Sequence, residues 1–581
     1  MKSAFFILFF IISFIASAQN TYYVSTSGND ANSGTSISSA WLTIQKAANT
    51  ATAGSTVNIL AGTYHEHVTM HITGLPNHYI TFQNYQHDSV VVDGAGSSGW
   101  GLFTIYAVAY FKIKGLHFAY TDSTTAAYSP AMLIGNKAQF VEVHHCTFEN
   151  LRNKNATGIA LYGNDTTSAG LHNILIDSCR FGNTNFKTSM GVGVAGNTYQ
   201  CNISNNLFHH LNSQAIALIG SDSTSRSLFD YARNITVNNN EILDVYNDTP
   251  GNYRQGILVS GARNCLLEKN KIHHCDMGIN ITAYENYAKT NGIVFRENLV
   301  YENYQQGLAL GVYNYTASTG RIKYCHIYHN TFYQNNALKS SSEAVLFPFD
   351  SSEISNNIFY ANTQNEIYYT WFYGVGLQKN VLNYNAFCSP FIDPSSIIFD
   401  WDGNYTTGFG YYKMVSNVDT NSIYADPLFI NPYEAIPDFH LYNNSPVKDN
   451  GDPNFVASTG ENDFYNHARI FNNRVDIGAV ENQNDYAPVV IQAGIDAAFV
   501  GDEPLTIYPN PTSQSLVISS KSVVNSIQIT NIFGEKMKVN MFELTTYDLR
   551  LDTYNLPSGF YFIKTIFKSG NSNMKKVVVQ H

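Results

Sequence analysis

Titratable side chains in the middle of the chain suggest two kinds of chemistry. Arg254 supplies a cation that could neutralise a substrate carboxylate, and His274 or Lys187 supplies a base that could remove the neighbouring proton. A cation and a base of this kind are two requirements of β-elimination. Acid–base hydrolysis instead needs two carboxylates about 5 to 10 Å apart. For that chemistry the candidates are Asp276 paired with Asp244, Asp248 or Glu302.

Three His-His dipeptides raise the question of a metal site. They are His144-His145, His209-His210 and His273-His274. Adjacent residues of a strand point to opposite faces, so the two members of a pair are not expected to share an ion. No acidic cluster with the ligand spacing of a calcium loop accompanies them. The sequence therefore predicts no metal ligands at these pairs.

A repeated segment shows how the candidate side chains are positioned. The pattern is apolar-x-x-Asn-x-apolar, and its asparagines recur every 27 to 34 residues. They are Asn206, Asn240, Asn270, Asn298, Asn330 and Asn357, and Cys146 and Cys179 occupy the same column two coils earlier. Stacked asparagines can hydrogen-bond to each other and to the backbone of a buried turn, so a structural ladder is predicted.

A second, Gly-bounded strand follows each Asn-bearing segment, as in Gly158–Gly163, Gly256–Gly261 and Gly278–Ala283. Strands of constant pattern joined by turns of unequal length are typical of a solenoid. About 30 residues per coil is too long for leucine-rich repeats. The fold class predicted is all-β, a parallel β-helix with three strands per coil.

The repeat also aligns the candidate site. Arg254 and Asp276 fall two residues before the Gly-bounded strand in successive coils, and His274 falls four before it. These three side chains are predicted to cluster, with Glu302 entering from the next coil. Four tyrosines surround the same face: Tyr253, Tyr284, Tyr304 and Tyr313.

Composition and the chain ends limit the possible partners. Charged residues are 13% of the chain and the net charge is -11, which excludes nonspecific nucleic-acid binding. Seven cysteines, an odd number without a CxxC pair, indicate neither a disulfide framework nor a zinc site. Met1-Lys2, an apolar stretch and Ala16-Ser17-Ala18 are typical of a secretory signal over residues 1–18. No later segment is apolar enough to span a membrane.

The mature N-terminus resembles the opening of the pectate-lyase-like, right-handed parallel β-helix superfamily. The resemblance is carried by Thr21–Asp30, Trp41–Ala47, Val57–Tyr64, Tyr79–Gln83 and Val90–Gly94. It implies a β-helix domain over 19–481, with an N-terminal cap and first coil over 19–64 and a capping helix near 41–50. Asp426–Phe429, Asp438–Leu441, Ser445–Val447 and Asp476–Glu481 resemble the closing segment of such helices, assigned to 425–481.

The C-terminal part resembles the sorting domain of the type IX secretion system. The matching segments are Leu505–Pro511, Ser526–Gly534, Leu556–Lys564 and Lys575–Gln580. This resemblance implies a small β-sandwich over 505–581 after a linker at 482–504. It also implies a source among the Bacteroidetes, recognition by the type IX machinery, and a location outside the cell or on its surface.

The β-helix resemblance implies that substrate lies along the Gly-bounded strand. We expect a polysaccharide lyase that acts on a uronic-acid-containing polysaccharide, with Arg254, His274, Asp276 and Lys187 catalytic. Glu302 and the four tyrosines would bind the sugar rings. The alternatives are a glycoside hydrolase with paired carboxylates and a non-catalytic glycan-binding or adhesive surface protein. The calcium-binding acidic set of the nearest pectate-lyase families is not visible, so calcium is left open and pectate is disfavoured. A monomer is expected.

Overall fold

The structure is a computed structural model of the 581-residue chain. It describes two stretches. The first covers residues 20–486 apart from 96–100, 121–128, 152–155, 165–168, 184–189, 221–228, 247–253, 285–287, 314–319, 337–341, 362–365, 373–378, 390–393, 433–436 and 485. The second covers residues 505–580 apart from 509–511, 513, 521–523, 532–535, 544–547 and 568–571. The chain divides into two units, Met1–Pro488 and Val489–His581.

The first unit winds through three sheets in a fixed order, here called A, B and C, and each strand pairs in parallel with its equivalent one coil on. Sheet A contains Thr21–Val24, Thr56–Ile59, Ile80–Asn84, Ala109–Lys114, Gln139–His144, Leu171–Asp177, Thr198–Tyr199, Asn202–Ser204, Thr236–Asn238, Leu266–Glu268, Val294–Arg296, His326–Tyr328, Glu353–Ser355 and Val381–Asn383. Sheet B contains Gly62–Tyr64, Val90–Asp93, His117–Ala119, Thr147–Glu149, Arg180–Gly182, Leu207–Leu211, Glu241–Val245, Lys271–His273, Leu299–Tyr301, Thr331–Tyr333, Ile358–Tyr360, Ala386–Cys388 and Ile423–Tyr424.

Sheet C holds the Gly-bounded strands. It contains Val68–Met70, Phe103–Tyr106, Ser129–Gly135, Ala156–Gly163, Met190–Gly196, Ile216–Ile219, Gln255–Ser260, Met277–Thr282, Gln306–Leu310, Ala344–Leu346, Glu366–Thr370, Ile398–Trp401 and the antiparallel Asn404–Thr407. Two further pairs of strands are Lys289–Asn291 with Arg321–Lys323, and Phe429–Asn431 with Asp438–Leu441. The all-β, three-strand coil predicted from the repeat is confirmed.

The corner between sheets A and B is a single turn residue followed by the ladder position. Asn239, Lys269, Glu297 and His329 occupy that turn in successive coils with φ between 51° and 57°. The next residue is the ladder asparagine, which is buried: Asn298, for example, is fully inaccessible. Its amide donates to Asn330 Oδ1 at 2.9 Å, and its own Oδ1 accepts from the backbone N–H of Asn270 at 2.9 Å. The predicted ladder is confirmed.

The ladder has different residues at its two ends. Cys179 donates its backbone N–H to Asn206 Oδ1 at 2.8 Å, so the cysteine column continues the ladder as predicted. At the other end Asn385 donates to Asp419 Oδ1 at 2.9 Å. All seven cysteines lie among the described residues, and each is a buried, free thiol.

Inside the coil, apolar side chains stack in columns because equivalent strands are about 4.8 Å apart. On sheet B, Phe118, Phe148, Phe181 and Phe208 lie face to face with centroid separations of 5.0, 4.8 and 4.7 Å. Burial of such large apolar surfaces is the main source of stability.

Both ends of the coil are covered by helices. Helix Ile44–Thr50, at the predicted position, buries Ile44, Ala47 and Ala48 over the first coil. Short 3₁₀ turns lie at Ile37–Ser39 and Tyr85–His87. At the far end, helix Phe409–Ser416 places Tyr412 against Phe399, with ring centroids 4.0 Å apart.

The segment over 425–481, which was assigned to closing the β-helix, packs against the side of the coil. Its side chains Phe439, Leu441 and Ile477 are buried with Tyr301 and Tyr333, which point outward from sheet B. This segment therefore covers the outer face of sheet B in the later coils, and helix Phe409–Ser416 covers the end. The sequence showed which residues of this segment are apolar, but it did not show which face of the coil they cover.

The second unit is built from two antiparallel sheets around its own small core. One sheet contains Leu505–Tyr508, Ser515–Ser520, Asp548–Asp552 and Met541–Glu543; the other contains Val524–Asn531, Gly559–Phe567 and Ser572–Val579. Throughout the described part of the chain, no helix has the length and apolar character needed to cross a membrane.

Candidate functional site

Four titratable residues form a column at the corner between sheets B and C. They are His210, Asp244, His274 and Glu302, here called the corner column, and their φ angles lie between 50° and 55°. Strand registers place them in consecutive coils. Because positive φ turns each side chain away from the strand, all four are partly accessible, with side-chain exposures of 57%, 26%, 40% and 38%.

Imidazole and carboxylate alternate along this column. His210 Nε2 lies 3.7 Å from Asp244 Oδ2, and His274 Nε2 lies 3.5 Å from Glu302 Oε2. Asp244 and Glu302 are two coils apart, which corresponds to about 9.6 Å between their backbones. The corner column therefore offers two carboxylates separated by an imidazole.

The corner column also overturns the reasoning about His-His pairs. His274 Nδ1 lies 2.8 Å from His273 Nδ1, and His210 Nδ1 lies 3.0 Å from His209 Nδ1. The second histidine of each pair has positive φ, so the rule of alternating faces fails there, and the prediction that adjacent imidazoles point apart was wrong. In the part of the chain that the structure describes, neither pair belongs to a converging set of three metal-ligating side chains.

The inner histidines support the outer ones. His273 is buried, stacks on Tyr301 with ring centroids 4.6 Å apart, and has Nε2 3.6 Å from Glu241 Oε1. Its packing fixes the ring whose Nδ1 meets His274. His273 is therefore a positioning residue for the exposed imidazole.

Arg254 and Asp276 lie together, as the alignment of coils predicted. Asp276 Oδ2 accepts the backbone N–H of Arg254 at 3.0 Å, and the two residues are only 9% and 7% exposed. Burial lowers the pKa of Arg254, and the Asp276 carboxylate opposes that shift. The two side chains are buried, so a surface ion pair does not describe them.

Tyr304 joins this buried pair to the corner column. Its ring lies 6.4 Å from that of His274 and 6.0 Å from that of Tyr246. Burial raises the pKa of Tyr304, and the carboxylates of Asp244 and Asp276 raise it further. The phenol is therefore protonated at neutral pH, a proton donor beside His274.

Other predicted binding residues lie elsewhere. Tyr284 and Tyr313 are 62% and 64% exposed but follow the C-terminal ends of strands Met277–Thr282 and Gln306–Leu310. His274, Glu302 and Tyr304 precede these strands, so the two groups are separated by a strand length, roughly 15 to 20 Å. Tyr284 accepts a hydrogen bond from the Asn280 amide at 2.7 Å. Lys187, Tyr253 and Asp248 lie outside the described residues.

The outward face of sheet C differs from the binding face that the resemblance implied. Its outward positions Ala217, Leu258, Asn280 and Ala309 are at most 8% exposed. In these coils the accessible polar groups described above lie at the sheet B–C corner, whereas in earlier coils Tyr106 and Tyr162 are exposed on sheet C itself. The sequence did not identify His210 or Tyr246 as candidates for the catalytic or sugar-binding site; His210 was considered only as part of a His-His pair. Recognising a corner position requires the register of the repeat to the exact residue.

Two family models match the chain. Residues 228–407 match the right handed beta helix region, and residues 506–580 match the secretion system C-terminal sorting domain. The protein is a secreted, right-handed parallel β-helix. These two matches confirm the resemblance to right-handed parallel β-helices and to the type IX sorting domain. The protein is extracellular or attached to the cell surface.

Individual relatives are distant. Over 444 residues the secreted β-helix is 27% identical to "Uncharacterized protein YwoF" of Bacillus subtilis (strain 168), which covers 73% of this chain and 92% of the relative. Similar solved structures include XylC with xylose, at 12% identity and a TM-score of 0.40, covering 96% of this chain and 100% of that one. PfbA, a surface adhesin of Streptococcus pneumoniae, has 16% identity and a TM-score of 0.41, covering 63% and 89%. Pectate lyase Pel9A has 14% identity and a TM-score of 0.37, covering 80% and 96%. TM-scores this low say nothing about activity.

Proposed function

We propose that the protein is an extracellular carbohydrate-active enzyme, a glycoside hydrolase whose catalytic carboxylates are Asp244 and Glu302. The observation that carries this proposal is the corner column itself, which holds two accessible carboxylates two coils apart. Their backbones are about 9.6 Å apart, a spacing that allows the carboxyl groups to reach the separation of about 6.5 to 9.5 Å found in inverting glycosidases. Hydrolysis with inversion at the anomeric carbon is therefore expected.

Charge in the site decides between substrates. Among the described residues, Asp244, Asp276 and Glu302 are three carboxylates at or beside the corner column, and the Arg254 guanidinium next to Asp276 is buried. A polyuronate would bring further negative charge to this surface. A neutral or weakly charged polysaccharide is the better match, and sugar rings could pack on Tyr246 and Tyr304.

The second candidate is the lyase that the sequence favoured. It is supported by the accessible imidazole of His274 as the base and by the phenol of Tyr304 beside it, which carries a proton that could pass to the leaving oxygen. Arg254 would then neutralise the substrate carboxylate. Lys187, predicted as an alternative base, stays a prediction.

The test is incubation of the protein with neutral and acidic polysaccharides while reducing ends and ultraviolet absorbance are both followed. Hydrolysis releases reducing ends without absorbance, and NMR of the first product should show an inverted anomeric configuration. Asp244→Asn and Glu302→Gln should each lower kcat by about 10²-fold or more. The matched control is Glu353→Gln, which changes a partly exposed carboxylate of sheet A, away from the corner column.

Other outcomes separate the alternatives. An unsaturated, absorbing product that depends on His274 and Tyr304 would establish the lyase and reject hydrolysis. Retention of polysaccharide without any product would indicate the adhesive or binding protein. Full activity of both carboxylate variants would remove the corner column as the catalytic site.

A further inference from the structure

A buried group of three metal-ligating side chains lies at a different corner of the coil from the corner column. Glu297 and His329 occupy the turn between sheets A and B in adjacent coils, and Glu461 comes from the segment that covers sheet B. One ligand atom of each residue lies within 4.8 Å of the other two. Glu297 and His329 are fully inaccessible and Glu461 is 6% exposed.

The converging atoms lack hydrogen-bond partners among the described residues. They are Glu297 Oε1, Glu461 Oε1 and one ring nitrogen of His329; the other ring nitrogen, which points away from the group, also lacks a partner. The nearest approach, His329 Nδ1 to Glu297 Oε1, is 3.6 Å, too long for a hydrogen bond. Each buried polar atom without a partner costs about 1 to 3 kcal/mol. Several such atoms aimed at one point indicate a missing ligand.

The other oxygen of each carboxylate is held in place. Glu297 Oε2 lies 2.8 Å from Arg469 Nη1. Glu461 Oε2 lies 2.5 Å from Arg296 Nη1 and accepts the Ser458 backbone N–H at 2.9 Å. Outer contacts of this kind orient ligating carboxylates in metal sites.

Charge around the group is unbalanced. Arg296 pairs with Glu461 and with Glu268 at 2.8 Å, while Arg469 pairs with Glu297 and with Glu481 at 2.8 Å. Four carboxylates thus share two guanidinium groups, and the buried carboxylates of Asp463 and Asp476 also lie close enough to interact with Arg469. When these carboxylates are ionised the negative charge exceeds the positive charge by at least two. A divalent cation would offset two of these charges, and isolated buried charge is otherwise expensive.

We propose that Glu297, His329 and Glu461 bind a divalent first-row transition metal, with Zn²⁺ the best match. One imidazole nitrogen and two carboxylate oxygens suit Zn²⁺, whereas Ca²⁺ and Mg²⁺ prefer oxygen ligands in larger number. With bonds of about 2.0 to 2.2 Å and tetrahedral angles, the ligand atoms of one zinc ion lie about 3.3 to 3.6 Å apart. The separation of 3.6 Å between His329 Nδ1 and Glu297 Oε1 already matches this value, and the remaining separations, up to 4.8 Å, would shorten by about 1.3 Å or less on binding.

The proposed ion would act as a structural clasp. Glu297 and His329 belong to the coils, whereas Glu461, together with Arg469, belongs to the covering segment. Binding would therefore fasten this segment to the coils across about 130 to 165 residues of chain, and metal ligation contributes directly to folding free energy. This proposal is independent of the proposed function.

The test uses the full chain, stripped with a chelator, incubated with Zn²⁺ and freed of excess metal. Elemental analysis should give one zinc per chain, and zinc should raise Tm. Glu461→Gln and His329→Gln should each weaken zinc binding at least ten-fold and abolish the Tm increase. Glu268→Gln is the control, because Glu268 contacts Arg296 but lies outside the metal-ligating group. Circular dichroism checks that each variant is folded.

Substitution of Co²⁺ provides a second readout, since its visible absorption reports one nitrogen and several oxygen ligands. Loss of that spectrum in folded Glu461→Gln supports the clasp even where His329→Gln fails to fold. Less than a tenth of an equivalent of zinc in the wild-type chain would overturn the proposal. Equal zinc content and equal Tm increase in wild type and Glu461→Gln would overturn it as well.

Discussion

Replacing Asn298 by alanine tests whether the ladder stabilises the coil. The Asn298 amide donates to the carbonyls of Leu267 and Arg296, at 3.0 and 2.7 Å, and to Asn330 Oδ1 at 2.9 Å. Its oxygen accepts the Asn270 backbone N–H at 2.9 Å. Asn298→Ala therefore removes a partner from one buried N–H and two carbonyls. Asn330 Oδ1 and the Asn270 side-chain amide also lose a contact but keep other partners. At about 1 to 1.5 kcal/mol each, the expected loss in free energy of unfolding is about 3 to 5 kcal/mol.

Urea denaturation followed by circular dichroism measures this loss, and hydrogen exchange of the Asn270 amide locates it. The matched control is Asn404→Ala, because Asn404 is exposed and makes only long contacts to neighbouring carbonyls, at 3.3 and 3.5 Å. That variant should change stability by less than about 0.5 kcal/mol. If Asn298→Ala matched Asn404→Ala, or if the Asn270 amide kept its protection, the ladder would be a consequence of the turns and not a cause of stability.

Two further predictions concern the interior. Phe181→Ala should lower the free energy of unfolding, measured by urea denaturation, by about 3 to 5 kcal/mol because Phe181 is stacked between Phe148 and Phe208. The control Phe471→Ala should lower it little because the Phe471 side chain is 42% exposed. Similar losses in the two variants would contradict the packing argument. Burial raises the pKa of Glu343 to about 8, so the folded chain keeps this proton while the unfolded chain loses it above its usual pKa of 4.5. Glu343 should therefore lower stability by a few kcal/mol as the pH rises from about 5 to 8. Glu343→Gln should remove this part of the fall, while the part that comes from Glu481 and Asp476, whose pKa values burial also raises, should remain. Parallel stability–pH curves for the two chains would refute the prediction.

The fold followed closely from the sequence because its periodicity reports directly on the stacking. A column residue such as Asn270 or Asn298 recurs at one position per coil, and parallel stacking turns that recurrence into contact. The covering role of Phe439 and Ile477 did not follow, since these residues belong to an irregular segment without a repeat. Periodicity predicts neighbours within the coil but not which outer face a non-repeating segment covers.

The candidate site was predicted only in part, for a related reason. The alignment brought together Arg254, Asp276 and His274, but it assumed that side chains alternate across the strand. A single residue with positive φ at each corner reverses that alternation, which places His274 against His273. Sequence alone does not show which residue adopts that conformation, because His, Asp and Glu occupy it here as well as asparagine.

Two of the three residues of the proposed metal-binding group could have been predicted from the sequence. Glu297 and His329 each immediately precede a ladder asparagine, so the register alone places them in adjacent coils. Glu461 comes from the irregular covering segment, and no periodic signal connects it to them. The complete group therefore becomes visible only when the structure shows where the covering segment lies.

The seven buried thiols make the timing of folding during export important. Burial raises the pKa of Cys201, Cys265 and Cys325 to about 12, so their reactive thiolate forms are nearly absent from the folded chain at neutral pH. Compartments outside the cytoplasm favour disulfide formation, however, and an unfolded chain would expose all seven cysteines there. Oxidant encountered after folding is harmless, whereas oxidant encountered before folding can cross-link columns that must later stack as separate coils. The order of the two events, and not the final redox state of the surroundings, decides how much correctly folded protein reaches the outside.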